Sequence, residues 1–295
     1  MKRKLTVLMA IMLVGAMLFS FASCGSKEES DDVAEVFTTD EAVYTESKTP
    51  VANTSEEVLN YFNGIVNGLK ASRPAMYYRY EKAVPNDSIR ITKVGAEEAE
   101  EIDESLQSIN KAAKGIKDMI LTDIGETSGD IPMGADNTEY LLVKNEAWTS
   151  QLTIADIDYA TIKEIGDNYF IEIVFDDIDA NGDTAALLKA FDLRNKDDIL
   201  ASEEFAKTAE YLKFNDYDVE YSGCKITATV NRLTNEIVNL NYHKAANITA
   251  HVTGAGTLEE YGDLSVMFTF EDKAYYEINW ENTLPVSPLE TTTEA

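Results

Sequence analysis

Apolar and polar positions divide this chain into four stretches before any residue chemistry is considered. Residues 5–21 are an almost unbroken apolar run. Residues 25–54 scatter single apolar side chains among Ser, Thr, Glu and Asp with neither a helical nor a strand period, as expected of a flexible acidic tether. Periodic patterns occupy residues 55–283, enough chain for one domain with a substantial core. Residues 284–295 lose the period again and read as a disordered tail.

The first periodic stretch is helical. Thr54 and Glu57 form a capping box ahead of an apolar stripe of Val58, Phe62, Ile65 and Leu69, which stops near Arg73-Pro74. Residues 76–84 and 88–94 read as strands joined by a Pro85-Asn86-Asp87 turn. The clearest stripe follows, with Ile102, Leu106, Ile109, Ala113, Ile116 and Ile120 at alternating steps of four and three. Glu97, Glu98, Glu100 and Glu101 stand at its start and Lys111, Lys114 and Lys117 toward its end, which complements the helix dipole. Residues 123–147 read as loop, rich in Gly and Asp, with a short helix up to Trp148. Residues 159–165 and 169–175 predict a hairpin about Gly166-Asp167-Asn168, and Ser202 caps a helix carrying Phe205, Ala209 and Leu212.

From Tyr217 the period becomes two. Ile226, Ala228 and Val230 alternate with polar neighbours, as do Val238, Leu240 and Tyr242, then Ile248, Ala250 and Val252. Leu264, Val266, Phe268 and Phe270 form a further strand, and Tyr276, Ile278 and Trp280 the last. One apolar face then needs a cover, and amphipathic helices are the available material. The expected class is α+β: a curved antiparallel β meander with amphipathic helices packed on its apolar face.

Charge narrows the partners. Twenty-five Lys and Arg stand against 53 Asp and Glu, a formal net charge of −28, so no nucleic-acid partner is expected. The positive residues Lys2, Arg3 and Lys4 precede the apolar run, which ends in Ala22-Ser23-Cys24-Gly25. Small residues immediately before a cysteine favour cleavage over a retained membrane helix. Residues 21–24 (Phe21, Ala22, Ser23, Cys24) resemble the lipobox of a bacterial lipoprotein signal peptide, Phe21 standing where the family usually has Leu. The resemblance implies cleavage between Ser23 and Cys24, a diacylglyceryl thioether on Cys24, a lipidated N-terminus and tether at 24–54, and residence on the outer face of the cell membrane. The lipid on Cys24 is then the membrane contact, since a polyanionic surface has no basic patch to hold it against anionic lipid. The domain resembles surface lipoproteins of clostridia-like bacteria and, at the level of fold, the half-open barrels of periplasmic lipoprotein carriers. The expected function is a non-catalytic domain that holds an unidentified extracellular ligand or protein partner. The alternatives are a carrier of lipid or another apolar molecule and an extracellular hydrolase with a carboxylate site.

Candidate chemistry is sparse. Asp177, Asp179, Asn181 and Asp183, with Gly182 at the sixth place of the run, match the first half of an EF-hand loop. Calcium is therefore the one cofactor to consider, although Leu188 stands where a bidentate Glu is expected; the alternative is a polar turn with Asp183 capping a short helix. His243 and His251 fall in the polar phase and, on one extended strand, would lie about 26 Å apart. Cys224 reads as a small buried hydrophobe. Ser108-Ile109-Asn110-Lys111 spells S-x-x-K inside the apolar stripe, without a Lys-Thr-Gly to follow. Tyr77, Tyr78, Tyr80, Tyr275 and Tyr276 stand in strands where some must face outward, which suits glycan stacking or a partner surface.

Overall fold

Helix α1 (Ser55–Val66) begins at the capping box: Glu57 N donates to Thr54 Oγ1 at 3.3 Å and Thr54 N donates to the Glu57 carboxylate at 3.1 Å. Its buried side is Val58, Leu59, Phe62 and Val66, with Ile65 at the margin of the stripe. A second short helix, α2 (Gly68–Ser72), buries Leu69 and ends on Arg73 in the left-handed region, just before Pro74.

The strands are β1 (Ala75–Ala83), β2 (Arg90–Val94), β3 (Glu97–Glu98), β4 (Gly125–Ile131), β5 (Tyr159–Ile165) and β6 (Asn168–Val174). After a single helical turn, α3 (Ala185–Leu188), come β7 (Leu212–Tyr221), β8 (Lys225–Asn231), β9 (Glu236–Gly254) and β10 (Asp263–Asn279). The computed structural model describes residues 54–85, 88–95, 97–98, 114, 124–144, 146–193 and 212–281. The residues read as signal segment, tether and tail, the stripe at 102–120 and the segment read as a helix capped by Ser202 lie outside the described residues; Lys114, beside the stripe, is helical.

Several expectations are corrected, and the described residues leading to Trp148 form turns and bends where a short helix was expected. Glu97 and Glu98 pair with Val94 and Lys93 as a short charged edge strand instead of opening a helix. The Gly-rich residues 125–131 are strand β4, because Gly129 lies opposite Tyr78 and a Cβ there would meet the phenol oxygen at 2.9 Å. Leu212 opens β7 and does not close a helix.

Strands β9 and β10 run 19 and 17 residues as one antiparallel hairpin, where the alternation alone had suggested pairs of shorter strands. No Gly or Pro interrupts either strand before its end, so nothing stops the ladder. Two strands then lie end to end on each side of the hairpin: β1 and β2 against β10, β8 and β7 against β9. The ten-stranded antiparallel sheet thus has two halves sharing the hairpin, β4–β1–β10–β9–β8–β6–β5 and β3–β2–β10–β9–β7. The meander holds for β8–β9–β10, whereas β7 pairs with β9 and not with its successor β8.

Even-numbered positions of the hairpin point to one side. In the first half Leu240, Tyr242, Ala274, Tyr276 and Ile278 join Ile171, Ile226 and the buried side of α1 in one core. In the second half Ala246, Ile248, Ala250, Val252, Leu264, Val266 and Phe268 form another with Leu212 and Tyr217. Between them the same face carries Lys244 and Asp272, directly opposite across the hairpin, with Nζ 2.9 Å from the carboxylate. A register shift opposite Thr229-Val230 leaves Val238 extra on β9, so Ile237 enters the core in its place.

Polar side chains of the two helices fasten a long loop over the first core. Asn67 accepts from Thr149 N and Ser150 N and donates to Ser150 O, while Asn63 donates to Leu152 O. Buried Lys70 donates to the carbonyls of Val143, Glu146 and Trp148 at 2.7–2.9 Å, and Val143 takes a left-handed φ of 57° to meet it. The Ser55 hydroxyl both donates to and accepts from the backbone of Ala160, serving the edge of β5. Among the described residues no helix is long and apolar enough to cross a membrane.

Candidate functional site

The odd-numbered positions of the hairpin make the opposite, outer face. In the first half one row across the strands reads Tyr77, Glu277, Asn239, Thr229, and the next Arg79, Tyr275, Asn241, Thr227. The Tyr275 hydroxyl donates diagonally to Asn239 on the neighbouring strand at 3.0 Å, which ties the ring to that strand. Tyr77 meets that ring edge-on with centroids 6.5 Å apart, and the Arg79 guanidinium stands 5.7 Å from its centre. Asn241 donates to Thr227 Oγ1 at 3.3 Å. Of the five tyrosines singled out by sequence, Tyr77 and Tyr275 therefore face outward. Tyr78, Tyr80 and Tyr276 turn to the core side, where Tyr80 and Tyr276 both donate to the Tyr140 carbonyl.

In the second half the outer face carries a polar line over three strands. His251 Nε2 lies 2.8 Å from Asp218 Oδ2 and Nδ1 lies 3.1 Å from Ser265 Oγ, while Asn181 donates to Asp218 Oδ1 at 2.9 Å. Ionised Asp218 has no proton to offer, so Nε2 carries the hydrogen and, in the neutral ring, Nδ1 accepts from Ser265. Register shifts on both flanks, at Phe214–Asp216 of β7 and beside Ser265 of β10, fall on the same row. The line runs the wrong way for acyl transfer. A nucleophilic hydroxyl needs the open end and its carboxylate the buried one, yet Ser265 is 7 % exposed while the Asp218 and His251 side chains are 31 % and 39 % exposed. The line braces β7, β9 and β10. The two histidines share one face of one strand, as the spacing predicts, eight residues apart.

The Asp177 loop follows β6, and three of its four candidate side chains, Asp177, Asn181 and Asp183, hold protein partners. Asp177 accepts from Gly223 N at 3.1 Å, Asp183 accepts from Ala185 N at the start of α3, and Gly182 N donates to Asp179 O. Asn181, in the left-handed region, points its amide at Asp218. Among the described residues no group of three or more His, Cys, Asp or Glu side chains gathers as a metal cage. Asp183 instead lines a cavity of about 260 Å³ with Asp156, Asp176, Phe175 and Leu187. Asp156 sits at its wall. Burial opposes its ionisation, but the Lys189 ammonium at 2.6 Å and the Thr153 donors prevail and hold its carboxyl below the ordinary range.

Sequence reasoning missed the polar groups inside the first core. Asp192 accepts from Lys144 N through one carboxylate oxygen, and its carbonyl accepts from Lys244 Nζ. Burial drives the Tyr242 phenol far up, with the Asp192 charge adding to the effect. No pattern marks Asp192, because its role depends on β9 meeting a loop some fifty residues away. Cys224 is buried and unpaired, its thiol pushed up by burial, as a small core residue should be. Ser23, Cys24, Ser108 and Lys111 lie outside the described residues. No protein family, curated protein or solved structure matches the chain.

Proposed function

We propose that this is a lipid-anchored, extracytoplasmic binding protein: Cys24 carries the lipid after cleavage at Ser23, residues 24–54 space the domain from the membrane, and the domain holds a ligand or partner without catalysing a reaction on it. The observation that carries the reading is the order of the first residues: Lys2, Arg3 and Lys4, an apolar run, then Ala22-Ser23-Cys24. Filled packing supports a binding platform over a lipid carrier. Phe62, Leu59, Ile171, Leu240 and Tyr276, all 0–1 % exposed, occupy the space between α1 and the sheet where an acyl chain would have to lie. The second core, with Ala250, Val266 and Phe268 fully buried, is the face we assign to the amphipathic stripe at 102–120. Calcium at Asp177, Asp179, Asn181 and Asp183 stays a secondary proposal; binding would require Asn181 and Asp183 to leave their present partners.

The test is chemical. Mass analysis of the exported protein is expected to find Cys24 as the N-terminus bearing a diacylglyceryl group, and Cys24→Ala should move the protein out of the membrane fraction. An unmodified thiol, or a mature terminus elsewhere, refutes the anchor.

A further inference from the structure

We infer that the outer face of the first half-sheet binds a neutral polysaccharide, stacked on Tyr275 and Tyr77 and hydrogen-bonded by the amides and hydroxyls beside them. The inference rests on the binding role proposed above and specifies its ligand. Neighbouring strands lie about 4.8 Å apart and successive rows about 7 Å, so the side chains form a grid whose mesh suits single sugar rings. At its centre Tyr275 is tied to Asn239 at 3.0 Å, with Tyr77 beside it in an edge contact and the Arg79 guanidinium over its ring. With the exposed Arg79 swung off the ring toward the rim, a ring held in this way offers a π-face to the C–H face of a pyranose with little rotamer freedom left to lose. Around it, Asn241 bonded to Thr227 keeps its carbonyl for a sugar hydroxyl, and Arg79, exposed at the rim, adds donors.

Charge selects the class of polymer. A chain of net charge −28 repels acidic polysaccharides and nucleic acid. On the face itself Arg79 and Lys225 are interspersed with Glu277, Glu81 and Glu172, and Lys273 is paired with Glu271 at 2.6 Å, so a polycation meets no surface of a single sign. A protein partner would be expected to find a larger apolar centre than two rings set among amides and hydroxyls.

The experiment is affinity electrophoresis of the detergent-solubilised lipoprotein in native gels containing a β-glucan, a xylan or a mannan, with polygalacturonate as the acidic polymer and a pull-down on chitin. At least one neutral polymer is expected to retain the protein and polygalacturonate to leave it free. Tyr275→Ala and Tyr77→Ala should each weaken retention at least tenfold. Tyr275→Phe, which keeps the ring and loses the Asn239 bond, should weaken it two- to fivefold, and Tyr159→Ala at the far edge should change nothing. Wild-type circular dichroism and Tm in each variant separate a lost site from a lost fold. Retention by no neutral polymer, retention undiminished in both alanine variants, or retention by polygalacturonate alone overturns the inference. So does capture of a protein in a Tyr275-dependent way. Lipid on Cys24, measured in the same preparation, isolates the anchor: if it is present while every polymer fails, the glycan falls and the anchored protein stands.

Discussion

The two halves of the sheet share one hairpin and one alternation, yet the described residues close them differently. Over the first core, Asn63, Asn67 and Lys70 reach from the helices to backbone groups of residues 143–152 and set where the cover sits. In the second half, the turn after β9 folds back until a Cβ on Gly254 would stand 2.0 Å from the Leu258 carbonyl oxygen, so close backbone approach sets the geometry there. Alternation decides which face is apolar, while polar clasps and steric contacts decide what lies on it. The boundary between the halves is marked by charge, since Lys244 and Asp272 occupy the one row of the apolar face that neither core claims.

The largest effects test whether the halves unfold together. Phe62→Ala in the first core and Phe268→Ala in the second, both 0 % exposed, should each cost about 3–5 kcal/mol. Both tryptophans, Trp148 and Trp280, belong to the first half: one carbonyl binds Lys70 and the other indole donates to Ile237 O. Tryptophan fluorescence therefore reads that half while far-UV circular dichroism reads both. Coincident transitions are expected in either variant, because the hairpin is continuous. A Phe268→Ala protein whose ellipticity melts early while its fluorescence keeps the wild-type midpoint would show two independent units.

Next comes the charged boundary. Lys244 and Asp272 have side-chain exposures of 10 % and 23 %, so removing one partner strands the other in poor solvation. Asp272→Leu is expected to cost about 2–3 kcal/mol, while the double variant Lys244→Met with Asp272→Leu should recover most of the loss, since an apolar pair can join the two cores. Urea midpoints of the four proteins in the cycle measure the coupling. A double variant no better than the single would mean that the bond from Lys244 to the Asp192 carbonyl, and not the ion pair, holds the boundary.

How far the chain could be read without its structure follows the same division. The capping box at Thr54, the hairpin at residues 159–174 and the two-residue period from Tyr217 were legible because each is local chemistry. Strand β4 was not, because its glycine answers to Tyr78 on another strand. The shift that exchanges Val238 for Ile237 is likewise invisible in alternation alone. The outward tyrosines were named among five candidates, but sorting them required the register of β1 on β10. Asn63, Asn67 and Asp192 carried no signal, since their partners are backbone groups tens of residues away.

Smaller effects probe the clasps. Asn67→Ala removes three hydrogen bonds to residues 149 and 150 and should cost about 2 kcal/mol. Amide exchange should quicken over residues 149–152 and stay unchanged in β7. Acid supplies a second handle on the first half. Asp156 titrates below its ordinary 3.8 in the folded chain, so its contribution is complete above that value and fades as pH falls through the lowered one. His243 is displaced below 6.5 by burial first and then by Lys273 and Lys225, against the pull of Glu271. The unfolded chain therefore takes its proton first, and stability is lost as pH drops from 6.5 toward the folded value. His243→Asn should shrink the loss measured between pH 7 and pH 5, whereas Asp156→Asn should flatten the curve only below pH 4, at a cost of about 1.5–3 kcal/mol at neutrality.

The smallest expected effect concerns a side-chain bond that ties the loop after β6 to the second half, Asn181 to Asp218. It is an exposed hydrogen bond to a carboxylate, so Asn181→Ala should cost about 1 kcal/mol at most and raise amide exchange near residue 218 more than near residue 171. Calcium makes the experiment two-sided. If the ion binds at Asp177, Asp179, Asn181 and Asp183, it must draw Asn181 away from Asp218, and millimolar calcium should raise Tm in the wild type and lose that effect in Asn181→Ala. If the turn is only a turn, calcium and chelator give the same Tm in both proteins, and the loop remains a strut between the halves, held by Asp177 to Gly223 and by Asn181 to the strand that His251 braces.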